Sequence, residues 1–172
     1  GRAGNRCGRR GCLPMNAGDL ESYLHRHIPL SAALEVRVRE ATRERVILDA
    51  PLAPNRNHRE GAFGGSIASV GMLAGWSLVH LAFRPVDPAA HIVIRSSRIR
   101  FIGPIAADFS ATCEPAGEDQ WERFYDSYRR KGVARIAMTS ILAETADSDR
   151  RAAVFEGEFV AAGARFQRLR FE

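Results

Sequence analysis

Hydrophobic and polar positions divide the chain into short runs of two periods. Leu20, Tyr23, Leu24 and His27 share one face of a helix that Asp19 is placed to cap and that Pro29 ends. Leu34, Val36 and Val38 then alternate with Glu35, Arg37 and Arg39, the signature of a half-buried strand. Residues 45–50 (RVILDA) give it a hairpin partner across a turn at 41–44. After a loop over 51–65, residues 66–83 hold no Asp, Glu, Lys or Arg, which predicts an apolar helix stopped by Pro85. Beyond Pro88 strands dominate, at 91–102, 108–114, 133–143 and 152–162, the last two joined by a polar turn. Within 118–131, Trp121, Phe124, Tyr125 and Tyr128 stand at helical spacing, an amphipathic helix that Gly132 closes.

This order predicts an α+β domain: about six strands in an antiparallel, hairpin-connected sheet, helices on one face, and the sheet curled around the apolar helix. The uncharged run is also long enough to cross a membrane, and Gly71 and Gly75 form a G-x-x-x-G. Ser66, Ser69, Ser77 and His80 dilute its apolarity, so the run reads as a core helix and no membrane span is expected. The two glycines would then let the sheet approach closely.

Composition adds little until it is divided along the chain. With 172 residues, 45% hydrophobic and 26% charged, one globular domain is expected. The net charge of +5 hints at nucleic acid, but Arg2, Arg6, Arg9 and Arg10 lie in an acid-free stretch and the remainder is nearly neutral. Residues 1–18 therefore read as a disordered basic leader and 19–172 as the single domain, with no nucleic-acid partner. Cys7 and Cys12 lack companions for a metal site, and Cys113 reads as a buried thiol. Three cysteines make no disulfide framework, so a cytoplasmic setting is expected.

The candidate chemistry sits in residues 50–76. Gly64 and Gly65 open the long helix, where unpaired N–H groups and the positive end of the dipole suit a carbonyl oxygen or oxyanion. Asn57 and His58, just upstream, offer hydrogen bonds, a water-positioning group and an imidazole base. The same residues also fit an Asx-turn in an ordinary loop. Ser66 serves either as a donor or as a cap. His80 and Trp76 read as interior residues, and Arg98, with Arg95, Arg100 and Arg135, as a strand arginine suited to phosphate or to solvent. No G-x-S-x-G elbow is present.

The run A-P-L-A-P-N-x-N (Ala50 to Asn57), followed by His58, F-G-G-S (Phe63 to Ser66) and L-A-G-W (Leu73 to Trp76), resembles the hotdog superfamily. More closely it resembles the thioesterase domain at the C-terminus of YiiD-type acetyltransferases. The resemblance implies a hotdog fold, a long central helix wrapped by a curved antiparallel sheet, and a homodimer or dimer of dimers with its site at the interface. It implies hydrolysis of an acyl-coenzyme A or acyl carrier protein thioester, with coenzyme A present only as part of the substrate and no resident cofactor or metal. The resemblance carries over Asn57 as the residue that polarises the thioester or holds the water, Gly65 as the N–H donor to its carbonyl, and Gly64 as the residue that shapes the turn. With His58 chosen by position as the replacement base, the catalytic group is Asn57, His58 and Gly65, and Asn55, Phe63, Gly64, Ser66 and Arg98 are the substrate-binding candidates. Phe63 replaces the His of related thioesterases, and Met72 the acid they carry on the helix. That departure leaves a non-catalytic acyl-binding module as the alternative.

Overall fold

The computed structural model describes residues 15–115 and 117–164. The leader expected at 1–18 falls mostly outside this range, but its last residues are ordered. Helix α1 (Ala17–His27) starts three residues earlier than predicted because Asn16, not Asp19, is the cap. Asn16 accepts the Asp19 N–H and the Asp19 carboxylate accepts the Asn16 N–H, a reciprocal capping box. Pro29 does more than stop α1. It opens a short helix, α2 (Pro29–Ala33), at a position where its missing N–H costs nothing.

Strands β1 (Arg37–Ala41) and β2 (Val46–Ala50) form the expected hairpin. Leu34 and Val36 keep their predicted burial but precede the strand. The central helix α3 (Gly64–Phe83) is followed by β3 (His91–Phe101), β4 (Phe109–Cys113), α4 (Glu118–Lys131), β5 (Val133–Glu144) and β6 (Ala153–Ala162). Gly132 ends α4 at φ 71°, a left-handed conformation that glycine adopts without penalty.

All six strands are antiparallel, in the order β1-β2-β4-β5-β6-β3. One expectation fails: β3 and β4 are not a hairpin. The chain leaves β3 at the sheet edge, crosses the end of the sheet and enters between β2 and β5, while β3 pairs along its length with β6. Helix α3 touches β2, β3, β4, β5 and β6, so the sheet curls around it. In its most apolar window 72% of the helix is buried, so its apolar surface lies against the rest of the domain.

The fit of helix to sheet depends on three glycines. Phe155 and Phe159 point inward from β6 on either side of Gly157 and reach Gly71 and Gly75. Four residues span about 13 Å of strand but only about 6 Å of helix. The rings reconcile the two spacings by leaning over Gly157, where a Cβ would stand 2.9 Å from Phe155 Cε1 and 3.1 Å from Phe159 Cε2. The buried Ser140 hydroxyl donates to the Gly71 carbonyl at 2.8 Å and fixes the middle of α3 to β5. At the far end, Phe83 packs edge-on against Phe124 and Tyr128 of α4, with ring centroids 5.3 and 4.6 Å away.

Candidate active site

The start of α3 is built by the loop before it. Asn57 holds that loop in shape: its Oδ1 accepts the N–H groups of Arg59 (2.7 Å) and Gly61 (3.3 Å), and its Nδ2 donates to the Ala62 carbonyl (3.3 Å). The Ala62 N–H donates to the Ile105 carbonyl and the Phe63 N–H to the Asn55 carbonyl, which pins the residue that precedes the helix. Asn55 is fully buried, and both of its amide hydrogens are used, on the Leu34 and Pro51 carbonyls. Its Oδ1 is buried without a partner.

Phe63 occupies the N-cap position and supplies no side-chain cap. The first intrahelical bond runs from the Ile67 N–H to the Phe63 carbonyl, so the N–H groups of Gly64, Gly65 and Ser66 have no acceptor among the described residues. They form the positive end of a 20-residue helix dipole. Gly65 is exposed, Gly64 half-buried and Ser66 buried. Ser66 therefore does not cap the helix; it lies in the first turn on the core side. Two rings flank the glycines. A Cβ at Gly64 would stand 3.1 Å from Phe101 Cζ, and one at Gly65 would stand 3.0 Å from Phe63 Cδ1.

The loop-borne candidates Asn55, Asn57 and Phe63 are thus drawn together with Gly64, Gly65 and Ser66. His58 is exposed beyond them, in the turn closed by the Arg56–Ala62 bridge. Arg98 is not gathered in. It stands opposite Glu156 on the sheet face turned away from α3, three residues or about 10 Å along β3 from Phe101. Met72 is half-buried on α3, which carries no acid. Two carboxylates at this end of the sheet escaped sequence reasoning: Asp108 accepts the Leu52 N–H at 2.8 Å and Glu144 accepts the Ala106 N–H at 2.7 Å. Both are thereby occupied in holding loops. Phe101 was missed as well, because only the fold brings it to Gly64.

Residues 17–163 match the model of the YiiD_C family, whose description reads "Putative thioesterase (yiiD_Cterm)". The chain belongs to this family. Among solved structures, the YiiD_C domain is similar to OLEI01261 of Chlorobaculum tepidum TLS, a protein of unknown function (TM-score 0.80, 24% identity, 87% of this chain and 98% of that one). It is also similar to a protein of Shewanella oneidensis named as a putative thioesterase (TM-score 0.73, 24% identity, 85% and 96%). A third is PA5026 of Pseudomonas aeruginosa, named as a probable thioesterase of unknown function (TM-score 0.71, 18% identity, 84% and 95%). These likenesses show the fold, the hotdog.

A concavity of about 580 Å³ lies elsewhere, on the outer sheet face between Arg39, Arg45, Thr112, Ile141 and Arg151. It has little pull on an anion. Arg39 is paired with Asp49 at 2.6 Å and Arg45 with Glu40 at 2.8 Å, while Glu114 and Asp149 add negative charge to its wall. The start of α3 is the stronger candidate, since its donors are unpaired.

Proposed function

We propose that this YiiD_C domain hydrolyses acyl thioesters of coenzyme A or of an acyl carrier protein. The observation that carries the reading is the opening of α3: an exposed Gly65 among three unpaired N–H groups, within a chain that matches a thioesterase family over 17–163. The Gly65 N–H donates to the thioester oxygen and holds the negative charge that develops when water attacks the carbonyl carbon. His58 takes the proton of the attacking water, the C–S bond breaks, and the proton passes to the departing thiolate. Asn57 contributes by keeping the loop, and hence the glycines and His58, in register. Gly64, Phe63, Ser66 and Asn55 shape the opening of the helix, and Arg98 meets the carrier's phosphates across a subunit boundary.

That boundary is part of the proposal. The edge at β1 is protected, since α1 packs beside it and Glu21 accepts the Val38 N–H at 2.8 Å. The other edge, the 11-residue β3, pairs among the described residues with β6 alone and is exposed over most of its length. An uncovered edge of that length is a pairing surface, and a second copy of the chain is its natural occupant. The free, buried Cys113 thiol, whose pKa burial raises to about 11, fits a cytoplasmic protein.

A second reading is favoured by the lack of any acid on α3: the domain binds acyl thioesters without cleaving them. Release of free thiol from a panel of acyl-coenzyme A substrates separates the two. Hydrolysis that drops in Gly65→Ala and His58→Ala is expected. Saturable binding with no release on any substrate favours the second reading.

A further inference from the structure

We infer that two copies of the chain pair along β3 in one register, Arg95 opposite the partner's Ser96, and that the turn after α3 of one copy thereby walls the candidate site of the other. The inference rests on the pairing of two copies proposed above and fixes where they meet.

The register follows from a bulge in β3. Ile92, Ile94 and Ile99 pack on the core and Phe101 lies on Gly64, so all four face α3. Ser97 stands opposite Gly157, which shares that face with Phe155 and Phe159. The pairing with β6 slips between Ile94 and Ser96, and Arg95 is the extra residue. Arg95 points outward and reaches Glu158 at 2.9 Å. Even-numbered residues therefore face α3 before the bulge and odd-numbered ones after it.

A two-fold pairing that continues the sheet must oppose inward residues to inward ones. Setting Arg95 against the partner's Ser96 does so at every position. Ile94 then meets the partner's Ser97, Val93 the partner's Arg98, Ile92 the partner's Ile99 and Phe101 the partner's Ala90. A slip of one residue crosses the faces along both arms of the strand. A slip of two sets Ser97 against the partner's Ser96, or Ile94 against the partner's Arg95, and crosses them at the bulge. The two Arg95 side chains near the axis each keep the Glu158 carboxylate of their own chain, which offsets their repulsion.

This register joins what one chain leaves bare. Val86 and Val93 flank the start of β3, Phe101 and Ile102 its end, and Phe63 lies beside Gly65; all five are exposed in the single chain. The turn that carries Val86 is firmly built. The Val86 and Asp87 N–H groups donate to the Phe83 carbonyl at 2.8 and 3.1 Å, the Ala90 N–H returns to the Asp87 carbonyl at 3.2 Å, and the Asp87 carboxylate accepts the Tyr128 hydroxyl. With the partner's Ala90 beside Phe101, the partner's Val86 follows on the helix side of the sheet. A thioester at Gly65 is then enclosed between Phe63 and Phe101 of one copy and the turn of the other.

Cysteine pairs read the register. In chains carrying Cys7→Ser and Cys12→Ser, with the buried Cys113 left in place, three double variants are oxidised. Val93→Cys with Arg98→Cys is directly opposed in the inferred register. His91→Cys with Arg98→Cys, and Val93→Cys with Arg100→Cys, report slips of two residues in either direction. Opposed positions lie within disulfide reach and positions two residues further along, at about 7–8 Å, do not. The first variant is expected to form a covalent dimer at least about tenfold faster than the others. Faster cross-linking of either other pair, or none in a sample that sediments as a dimer, overturns the inference and leaves the thioester reading intact. A chain that sediments as a monomer overturns it together with the proposed pairing.

Thiol release tests the wall. Gly65→Ala and Val86→Asp are each expected to lower activity, the second by pressing a carboxylate on the partner's Phe101. Co-expressed with different tags and isolated as mixed dimers, the two should recover about half of wild-type activity, because one of the two sites is whole. A fully active Val86→Asp, or mixed dimers no more active than their parents, overturns the wall. If wild type releases no thiol, the thioester reading falls while cross-linking still decides the register.

Discussion

Gly65 and Asn57 lie eight residues apart and do opposite kinds of work. At Gly65 a methyl group would meet the Phe63 ring, which is exposed and free to swing aside, so folding loses little. The methyl would occupy the space in front of the N–H that the substrate needs. Gly65→Ala is expected to leave the thermal midpoint within about 2 °C of wild type. It should lower kcat/KM by about tenfold to a hundredfold. Scanning calorimetry and thiol-release kinetics on the same preparation check both. Asn57 is the reverse case. Asn57→Ala removes two acceptor bonds and one donor bond and is expected to cost about 1–2 kcal/mol in urea unfolding. Its activity loss is then a loop effect. Asn57→Asp keeps the Oδ1 bonds to Arg59 and Gly61 and should recover most of that stability, which a side-by-side urea titration reads. Sequence spacing sufficed to place Asn57, Phe63, Gly64 and Gly65 near one another, because the loop is local. It did not say that the Asn57 side chain would be consumed by its own turn, and it could not place Phe101 against Gly64, 37 residues before it.

At the scale of elements, the decisive packing is α3 on β6. Helix propensity alone says Gly71→Ala should stabilise by about 1 kcal/mol. The contacts say otherwise, since the new methyl would press on Phe155 Cβ, which is anchored to its strand, and not on a mobile ring tip. Net destabilisation of about 1–3 kcal/mol is expected, read as a lower urea midpoint. A second property belongs to the junction of α1 with α3. The rings of Tyr23 and Trp76 lie 4.9 and 4.7 Å from that of His80, whose Nε2 is buried without a partner. Burial first, then the charges of Arg84 and His27, lower the His80 pKa from 6.5 to about 4. The unfolded chain therefore binds the proton more readily between these values. Stability is full above pH 6.5, falls as pH drops toward about 4, and levels off below. The loss reaches at most roughly 3 kcal/mol. His80→Phe, which keeps the stacking, should flatten this part of the pH–stability curve measured by urea unfolding at pH 7.5, 6, 5 and 4. The sequence announced the apolar helix and its two glycines, and the F-x-G-x-F of β6 stands in plain view. Their complementarity was not legible, because it depends on two rings leaning across Gly157 toward a helix of shorter repeat.

At the scale of the whole molecule, α+β class, six strands and a sheet wrapped on one helix all followed from periodicity and element order. Local hairpins, β1–β2 and β5–β6, were legible because their turns are short. The insertion of β4 between β2 and β5 was not, since the turn residues near Gly103 and Pro104 mark a change of direction without naming the next partner. That crossover leaves β3 at the edge, with Phe101 at its end beside the start of α3. Pairing of two chains along β3 would bring the two helix openings toward one boundary. Sedimentation velocity at micromolar protein should give a mass near twice 19.0 kDa. Specific activity should fall on dilution below the dimer's dissociation constant, whereas a monomer of undiminished activity would place the whole site within one chain.

The central claim is that a thioester carbonyl rests on the opening of α3, and a crystal structure with a non-hydrolysable acyl-coenzyme A thioether ketone tests it most directly. The account predicts the carbonyl oxygen at about 2.7–3.1 Å from the Gly65 nitrogen. An analogue seated instead in the outer groove between Arg39, Arg45 and Arg151, with the Gly65 N–H left to solvent, would contradict it.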